Sequence, residues 1–390
     1  MAPNTVPLRS PVNTIQKPLI ICFSHLRWNF VFQRPQQLLS RAAQMNQVIY
    51  FEEPVFGVHT EPVAHIEAQL NGIRVVTPML PENASPELVL EYQRTMVDEI
   101  LAEILHDRLI AWYYTPMALK FSDHLESHVC VYDCMDELSA FKNAPSELRQ
   151  LEQLLLAKAD IVFTGGQSLY EAKRNLHPSI YAFPSSIDSA HFHQARQAPD
   201  DPIDQARIPH PRVGYFGVID ERLDVELVEL VSRTMPDVHF VMLGPVVKID
   251  AAGLPKADNL HWLGGKSYDE LPRYLAHWDV GFMPFALNEA TRYISPTKTP
   301  EFLAAGLPVI STAIVDVVRS YATAGLVEIG DAGDFEAKLR ALLVPALPHL
   351  LGPIDAYLAD MSWDKTWSAM AVHIVRTAAM KSTLPLRKGA

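Results

Sequence analysis

The residue types best suited to chemistry lie in 288–312, NEATRYISPTKTPEFLAAGLPVIST. An apolar strand (GFMPF) leads into this polar loop, Ser295-Pro296 or Thr299-Pro300 opens a short helix, and Gly306 with Pro308 closes it. A loop entering a helix offers free backbone N–H groups. With Ser295, Pro296, Thr297 and the ammonium of Lys298 at that entrance, the spacing makes an anion site suited to a diphosphate. Glu301, in the first turn, either accepts hydrogen bonds from sugar or ribose hydroxyls or simply complements the helix dipole. A second anion candidate is GYFGVIDER (214–222), where a strand ending at Gly217 precedes Arg222. Arg222 can grip phosphate oxygens in a two-pronged fashion, or pair with Asp220, Glu221 or Asp224.

The first half of the chain has its own cluster in SHLRWNFVFQRP (24–35). His25, Arg27 and Trp28 follow the opening strand, and Arg34 stands just before a proline-initiated helix, again a phosphate-friendly place. His25 can serve as a base or a sugar ligand, or as a structural hydrogen-bonder. Asp133 and Asp136 follow the strand Val129 to Tyr132. Asp133 is the candidate for acceptor binding or stabilisation of a cationic sugar, whereas Asp136, before Glu137-Leu138, reads as a cap. His124, His128, Cys130 and Cys134 match no zinc-knuckle spacing, so no metal site is expected.

Short β-branched and aromatic runs alternate with amphipathic helical segments throughout, the pattern of an α/β chain with parallel sheets. Strands are expected at Leu19 to Phe23, Val48 to Phe51, Arg74 to Thr77, Ile110 to Tyr113, Val129 to Tyr132 and Ile161 to Phe163. A second series follows at Val213 to Phe216, His239 to Leu243, Leu260 to Leu263, Val280 to Phe285 and Pro308 to Ser311. Helix starts are expected at Pro35, at Ser85-Pro86, and at the capping boxes Ser168/Glu171 and Ser267/Glu270. The proline- and charge-rich stretch 191–210 reads as a linker between an N-terminal domain (1–190) and a C-terminal domain (211–362). A last helix is expected at 363–385. Ligands of such open sheets bind at the carboxyl ends of the strands, so both lobes should present those ends to a central cleft.

Composition narrows the function classes. Hydrophobic residues are 48% and charged residues 20% of 390, with a formal net charge of -12, which argues against nucleic-acid binding. Three cysteines (Cys22, Cys130, Cys134) are too few for a disulfide framework and suit a reducing, cytoplasmic setting. There is no run of 18 apolar residues and no signal peptide. The basic, acid-free ends (Arg9, Lys17, Lys381, Arg387, Lys388) read as solvated termini, with peripheral contact on the inner face of a membrane as the alternative. Neither GxGxxG nor GxxxxGK[ST] occurs, which removes the main support for dinucleotide oxidoreductases and P-loop NTPases. Only two of the 17 glycines, Gly57 and Gly72, precede Gly165, so close backbone approach belongs to the later part of the chain.

The segment Pro296-x-Lys298-x-x-Glu301-Phe302-Leu303-Ala304-Ala305-Gly306-x-Pro308-Val309-Ile310 resembles the nucleotide-sugar signature of GT-B glycosyltransferases of the family 4-like, retaining kind. SHLRWNFVFQRPQQLL (24–39), VYDCMDEL (131–138) and VFTGGQSLYEAKR (162–174) resemble bacterial polysaccharide-assembly glycosyltransferases of the teichuronic-acid and exopolysaccharide type, over roughly residues 18–380. The resemblance implies two Rossmann-like domains, a donor lobe at 211–362 and an acceptor lobe before it. It also implies a nucleotide diphosphate sugar as donor, UDP being the commonest, a saccharide or lipid-linked acceptor, retention at the anomeric carbon, and no cofactor or obligatory metal. Glu301 matches the second glutamate of the family's Glu-x7-Glu pair, the ribose contact. Tyr293 stands where the first glutamate should be, which keeps two other readings open: a nucleotide-sugar epimerase on the same fold, and a non-catalytic scaffold subunit of a polysaccharide-assembly complex.

Overall fold

The computed structural model describes residues 16–344 and 348–383. The chain folds into two lobes, each built on a largely parallel sheet. Strands of the first are β1 (Leu19–Phe23), β2 (Gln47–Phe51), β3 (Val55–Gly57), β4 (Val63–Ala68), β5 (Arg74–Pro81), β6 (Leu109–Tyr113), β7 (Val129–Cys134), β8 (Ile161–Thr164) and β9 (Ile180–Ala182), in the order β3-β5-β2-β1-β6-β7-β8-β9 with β4 antiparallel on β5. The second lobe carries β10 (Arg212–Phe216), β11 (His239–Leu243), β12 (Leu260–Gly264), β13 (Val280–Met283), β14 (Val309–Ser311) and β15 (Glu328–Ile329), in the order β12-β11-β10-β13-β14-β15. Central strands such as LIICF and VGFM are buried along their whole length, as parallel strands covered by helices on both faces must be. In both sheets the order reverses next to the first strand of the lobe, between β1 and β6 and between β10 and β13. Crevices at these switch points are where such sheets bind ligands.

The α/β, two-lobed GT-B architecture is therefore present. Residues 191–210 are not an extended linker at their start: the helix Ser189–His193 continues into a tight turn of helix, Gln194–Gln197, and Ala195 and Ile208 are buried in the second lobe's core. The helix Trp363–Thr383 lies on the first lobe, where Trp363, Met370 and Ile374 join the cluster that contains Trp112 and Phe163. Arg41 binds Asp364 at 2.9 Å and Lys381 binds Asp160 at 2.8 Å, fastening its two ends. Lys17 donates to the Gln44 carbonyl, while Arg9, Arg387 and Lys388 lie outside the described residues. Among the described residues no helix is long and apolar enough to cross a membrane.

Polar contacts bind the lobes to one another. The Asp316 carboxylate of the second lobe accepts from the Ser168 N–H at 3.1 Å, Arg319 pairs with Glu171 at 2.8 Å, and the Ser185 hydroxyl donates to the Ser295 carbonyl at 2.5 Å. This changes the expected Ser168/Glu171 capping box. The helix there is Gln167–Lys173, its cap position is Gly166, and the acceptor for its first N–H groups arrives from the other lobe. The Ser267/Glu270 box forms as expected.

Candidate functional site

At the mouth of the second lobe's switch point, Gly217 directly follows β10 and the helix Lys298–Ala305 starts across from it. Gly217 has φ +134°, and a Cβ there would collide with the Lys298 side chain. Glycine is thus required twice over, for the backbone angle and to let the lysine lie against the chain. The Lys298 ammonium stands 5.9 Å from the ring centres of Tyr215 and Phe216, and it forms no ion pair among the described residues. Burial lowers its pKa and raises that of Glu301, each opposed by the attraction of the other. The helix ends at Gly306, φ +91°, in the left-handed conformation that terminates helices.

A cavity of about 100 Å³ lies between the lobes. Its second-lobe wall is Arg222, Ser295, Pro296, Thr297 and Lys298; its first-lobe wall includes Gln33, Arg34, Asp136 and Ser185. That space holds a few waters and no nucleotide, so in this closed arrangement the lobes must part to admit one. Arg222 is oriented by Asp220, which accepts from Nε at 3.0 Å and from Nη2 at 2.8 Å. The pairing that competed with phosphate binding in the sequence is therefore formed, yet Nη1 makes no hydrogen bond among the described residues and the guanidinium still lines the cavity.

The first-lobe candidates redistribute. β7 runs two residues beyond the expected end, to Cys134, which draws Asp133 into the sheet and leaves Asp136 at the strand's carboxyl end. Asp133 is fully buried and held by Arg34, with Nη2 at 2.8 Å and Nε at 3.1 Å. Both residues are committed to this buried pair, and Arg34 also donates to the Phe183 carbonyl at 2.7 Å. Asp133 accordingly does not reach the cavity. The carboxylate that does is Asp136, where desolvation outweighs the nearby Arg222 and pushes the pKa from 3.8 up to about 6. Its position two residues past the strand end is the available signal, obscured by the common use of aspartate as a cap.

Arg27 is tied to Glu52 at 3.0 Å and to the carbonyls of Glu53 and Pro54, and Trp28 packs on Tyr50 at 5.0 Å. Both shape the loop and neither lines the cavity. His25 does not line it either; its Nδ1 is buried without a partner among the described residues, and burial lowers its pKa to about 4, so the ring is neutral. Glu301 lies behind Lys298, 7% exposed, outside the cavity wall. Tyr293, in the place of the family's first glutamate, packs against the first lobe's core with the Arg292 guanidinium 5.3 Å above its ring. Among the described residues no three His, Cys, Asp or Glu side chains converge, and Cys130 and Cys134 are buried free thiols.

Residues 210–344 match the family described as Glycosyl transferases group 1. TuaH of Bacillus subtilis (strain 168), named as a teichuronic acid biosynthesis glycosyltransferase, is 27% identical over 234 residues, 56% of this chain. The match spans 59% of that relative's length. Among solved structures, a sucrose-phosphate synthase from Thermosynechococcus elongatus superposes with a TM-score of 0.70 at 15% identity, covering 94% of this chain and 100% of that one. An E. coli trehalose-6-phosphate structure bound with UDP-2-fluoro glucose gives 0.67 at 13% identity, over 94% and 100% of the two chains. An α,α-trehalose-phosphate synthase from Burkholderia xenovorans, in complex with glucose-6-phosphate, gives 0.68 at 10% identity, over 92% and 100%. Residues 210–344 are thus similar to a group 1 glycosyltransferase domain, and the whole chain shares the two-lobed fold of these structures.

Proposed function

We propose that the chain is a glycosyltransferase that moves a sugar from a nucleotide diphosphate sugar, UDP-linked by default, to a saccharide or lipid-linked acceptor in polysaccharide assembly. The observation that carries this reading is the half-buried Lys298 ammonium, lying against Gly217 with no ion-pair partner among the described residues, beside Arg222 and opposite Asp136 across the interlobe cavity. A half-buried cation at a helix entrance, lining a cavity, is placed to meet an anion that enters it.

In this reading the diphosphate sits at the entrance of the helix Lys298–Ala305. As the bond between the anomeric carbon and the leaving oxygen breaks, negative charge grows on the diphosphate, and Lys298, Arg222 and the backbone N–H groups stabilise it in place. Charge is then balanced by protein donors, with retention at the anomeric carbon and no metal needed for departure. Asp136 faces the same space from the acceptor side, where its carboxylate meets the developing positive charge on the sugar or the acceptor hydroxyl. Closure of the lobes keeps water from competing as acceptor. An epimerase would need a second first-lobe carboxylate in the cavity, and Asp133 is occupied by Arg34. The replacement of the first glutamate by Tyr293, turned toward the first lobe, is what favours the scaffold reading. Incubating the protein with a panel of nucleotide sugars and following product release by NMR separates them: turnover with a retained anomeric configuration supports transfer, and silence across the panel with nucleotide binding intact supports the scaffold.

A further inference from the structure

A second cavity, about 320 Å³, opens on the first lobe at the carboxyl ends of β1, β2 and β6, and it shares no lining residue with the cavity between the lobes. Its volume falls at the small end of the range for small-molecule sites, about 300–1,000 Å³. Phe23, Phe51 and Phe121 form an aromatic floor, with ring centres 5.7 to 5.8 Å apart. Phe56, 49% exposed, stands at the opening.

One polar side chain in this pocket is unaccounted for. Gln93, on the helix Pro86–Glu103, is 5% exposed, lines the cavity, and its carboxamide has no hydrogen-bond partner among the described residues. A primary amide carries two donor hydrogens and an acceptor oxygen, and these stay open to the solvent of the pocket, free to bond a ligand that enters it. Its neighbours do not satisfy it: Glu52 is taken by Arg27, Thr77 and the Trp28 N–H, and the Thr115 hydroxyl by the Met117 N–H.

We propose that this pocket is a subsite for a neutral sugar ring of the acceptor, with Gln93 as its specificity-determining residue. An aromatic floor covers the apolar face of such a ring while Gln93 takes its hydroxyls. An alkyl chain fits worse, because it would seal Gln93 with nothing to bond. An anionic group also fits worse, since Lys120, the cation of the lining, is paired with Glu147 at 3.1 Å and Glu53 stands at the rim. The neighbouring strand of the sheet is β7, whose end carries Asp136. The two cavities therefore lie along one edge, and an acceptor spanning them has a ring beyond the one that reacts. The inference rests on the transfer reading for the word acceptor; the pocket's preference for a sugar ring does not depend on it.

The full chain, labelled at its methionine methyls, is titrated with methyl glycosides of glucose, galactose, mannose and N-acetylglucosamine without nucleotide. At least one glycoside should shift the Met117 signal saturably, and Gln93→Leu should weaken it about fivefold or more, the loss of a hydrogen bond of about 1 kcal/mol. Gln93→Glu, which keeps an acceptor, serves if the leucine variant fails to fold, and it should change the order of preference among the glycosides. No shift at Met117 with any glycoside, equal affinity in the variants, or displacement of the glycoside by n-octanol would overturn the proposal. Nucleotide diphosphate binding, read separately at Lys298, reports on the transfer reading and not on the pocket.

Discussion

Asp133 and Asp136 lie three residues apart, and the same substitution at each should move stability in opposite directions. At Asp136 burial raises the carboxyl pKa from 3.8 to about 6, so the folded state carries the charge at a cost. A shift of that size corresponds to about 3 kcal/mol in the limit, and to about 1–3 kcal/mol once partial access to solvent is allowed for. The sign follows from proton uptake. Above about pH 6 the carboxylate is charged in both states and the folded state bears the full penalty; below about pH 4 both states hold the proton and the penalty is gone. Asp136→Asn should therefore raise the unfolding free energy at neutral pH by about 1–3 kcal/mol, shrinking toward nothing near pH 4. Asp133→Asn instead leaves the Arg34 guanidinium, 3% exposed, without its counter-charge and should cost about 3–5 kcal/mol. Urea unfolding of both variants across pH 4 to 8 reads the two effects. An Asp136→Asn variant less stable than wild type at neutral pH, or a gain that is constant with pH, would refute the reasoning.

Gly217→Ala should weaken nucleotide diphosphate binding about tenfold or more and cost about 1–3 kcal/mol of stability, because a Cβ displaces Lys298 and the backbone angle is strained; calorimetric titration and melting measure the two. Asp316→Ala removes the interlobe acceptor for the Ser168 N–H, so the lobes should open, read as a larger radius of gyration in solution scattering with nucleotide affinity raised rather than lowered. Scattering identical to wild type would show that the contact does not hold the lobes together.

Much of the frame is legible in the sequence because it is written locally. Buried parallel strands are continuous apolar runs, and His239–Leu243 matches its expected limits residue for residue. The strands that escape notice are short or lie at edges: β4 (VAHIEA) is mostly exposed and carries His65 and Glu67, and β15 has only two residues. The signature helix is legible from Pro296, Lys298, Glu301 and Gly306. What is not legible depends on partners far away in the chain. Asp133 reads as a free carboxylate until Arg34, 99 residues earlier, closes on it, and Ser168 reads as a cap until Asp316 reaches over from the other lobe. The two extra residues of β7, with Asp136 at its end, depend on the neighbouring β8, whose Thr164 pairs with Cys134.

The central claim is that Lys298 and its helix entrance hold a nucleotide diphosphate. Calorimetric titration of the full chain with UDP, GDP, ADP, CMP and dTDP tests it most directly, with Lys298→Ala and Glu301→Ala alongside. The account predicts saturable binding of at least one nucleoside diphosphate, weakened about tenfold or more in both variants while their melting stays close to wild type. No binding of any of the five, or affinities in the variants equal to wild type, would contradict it.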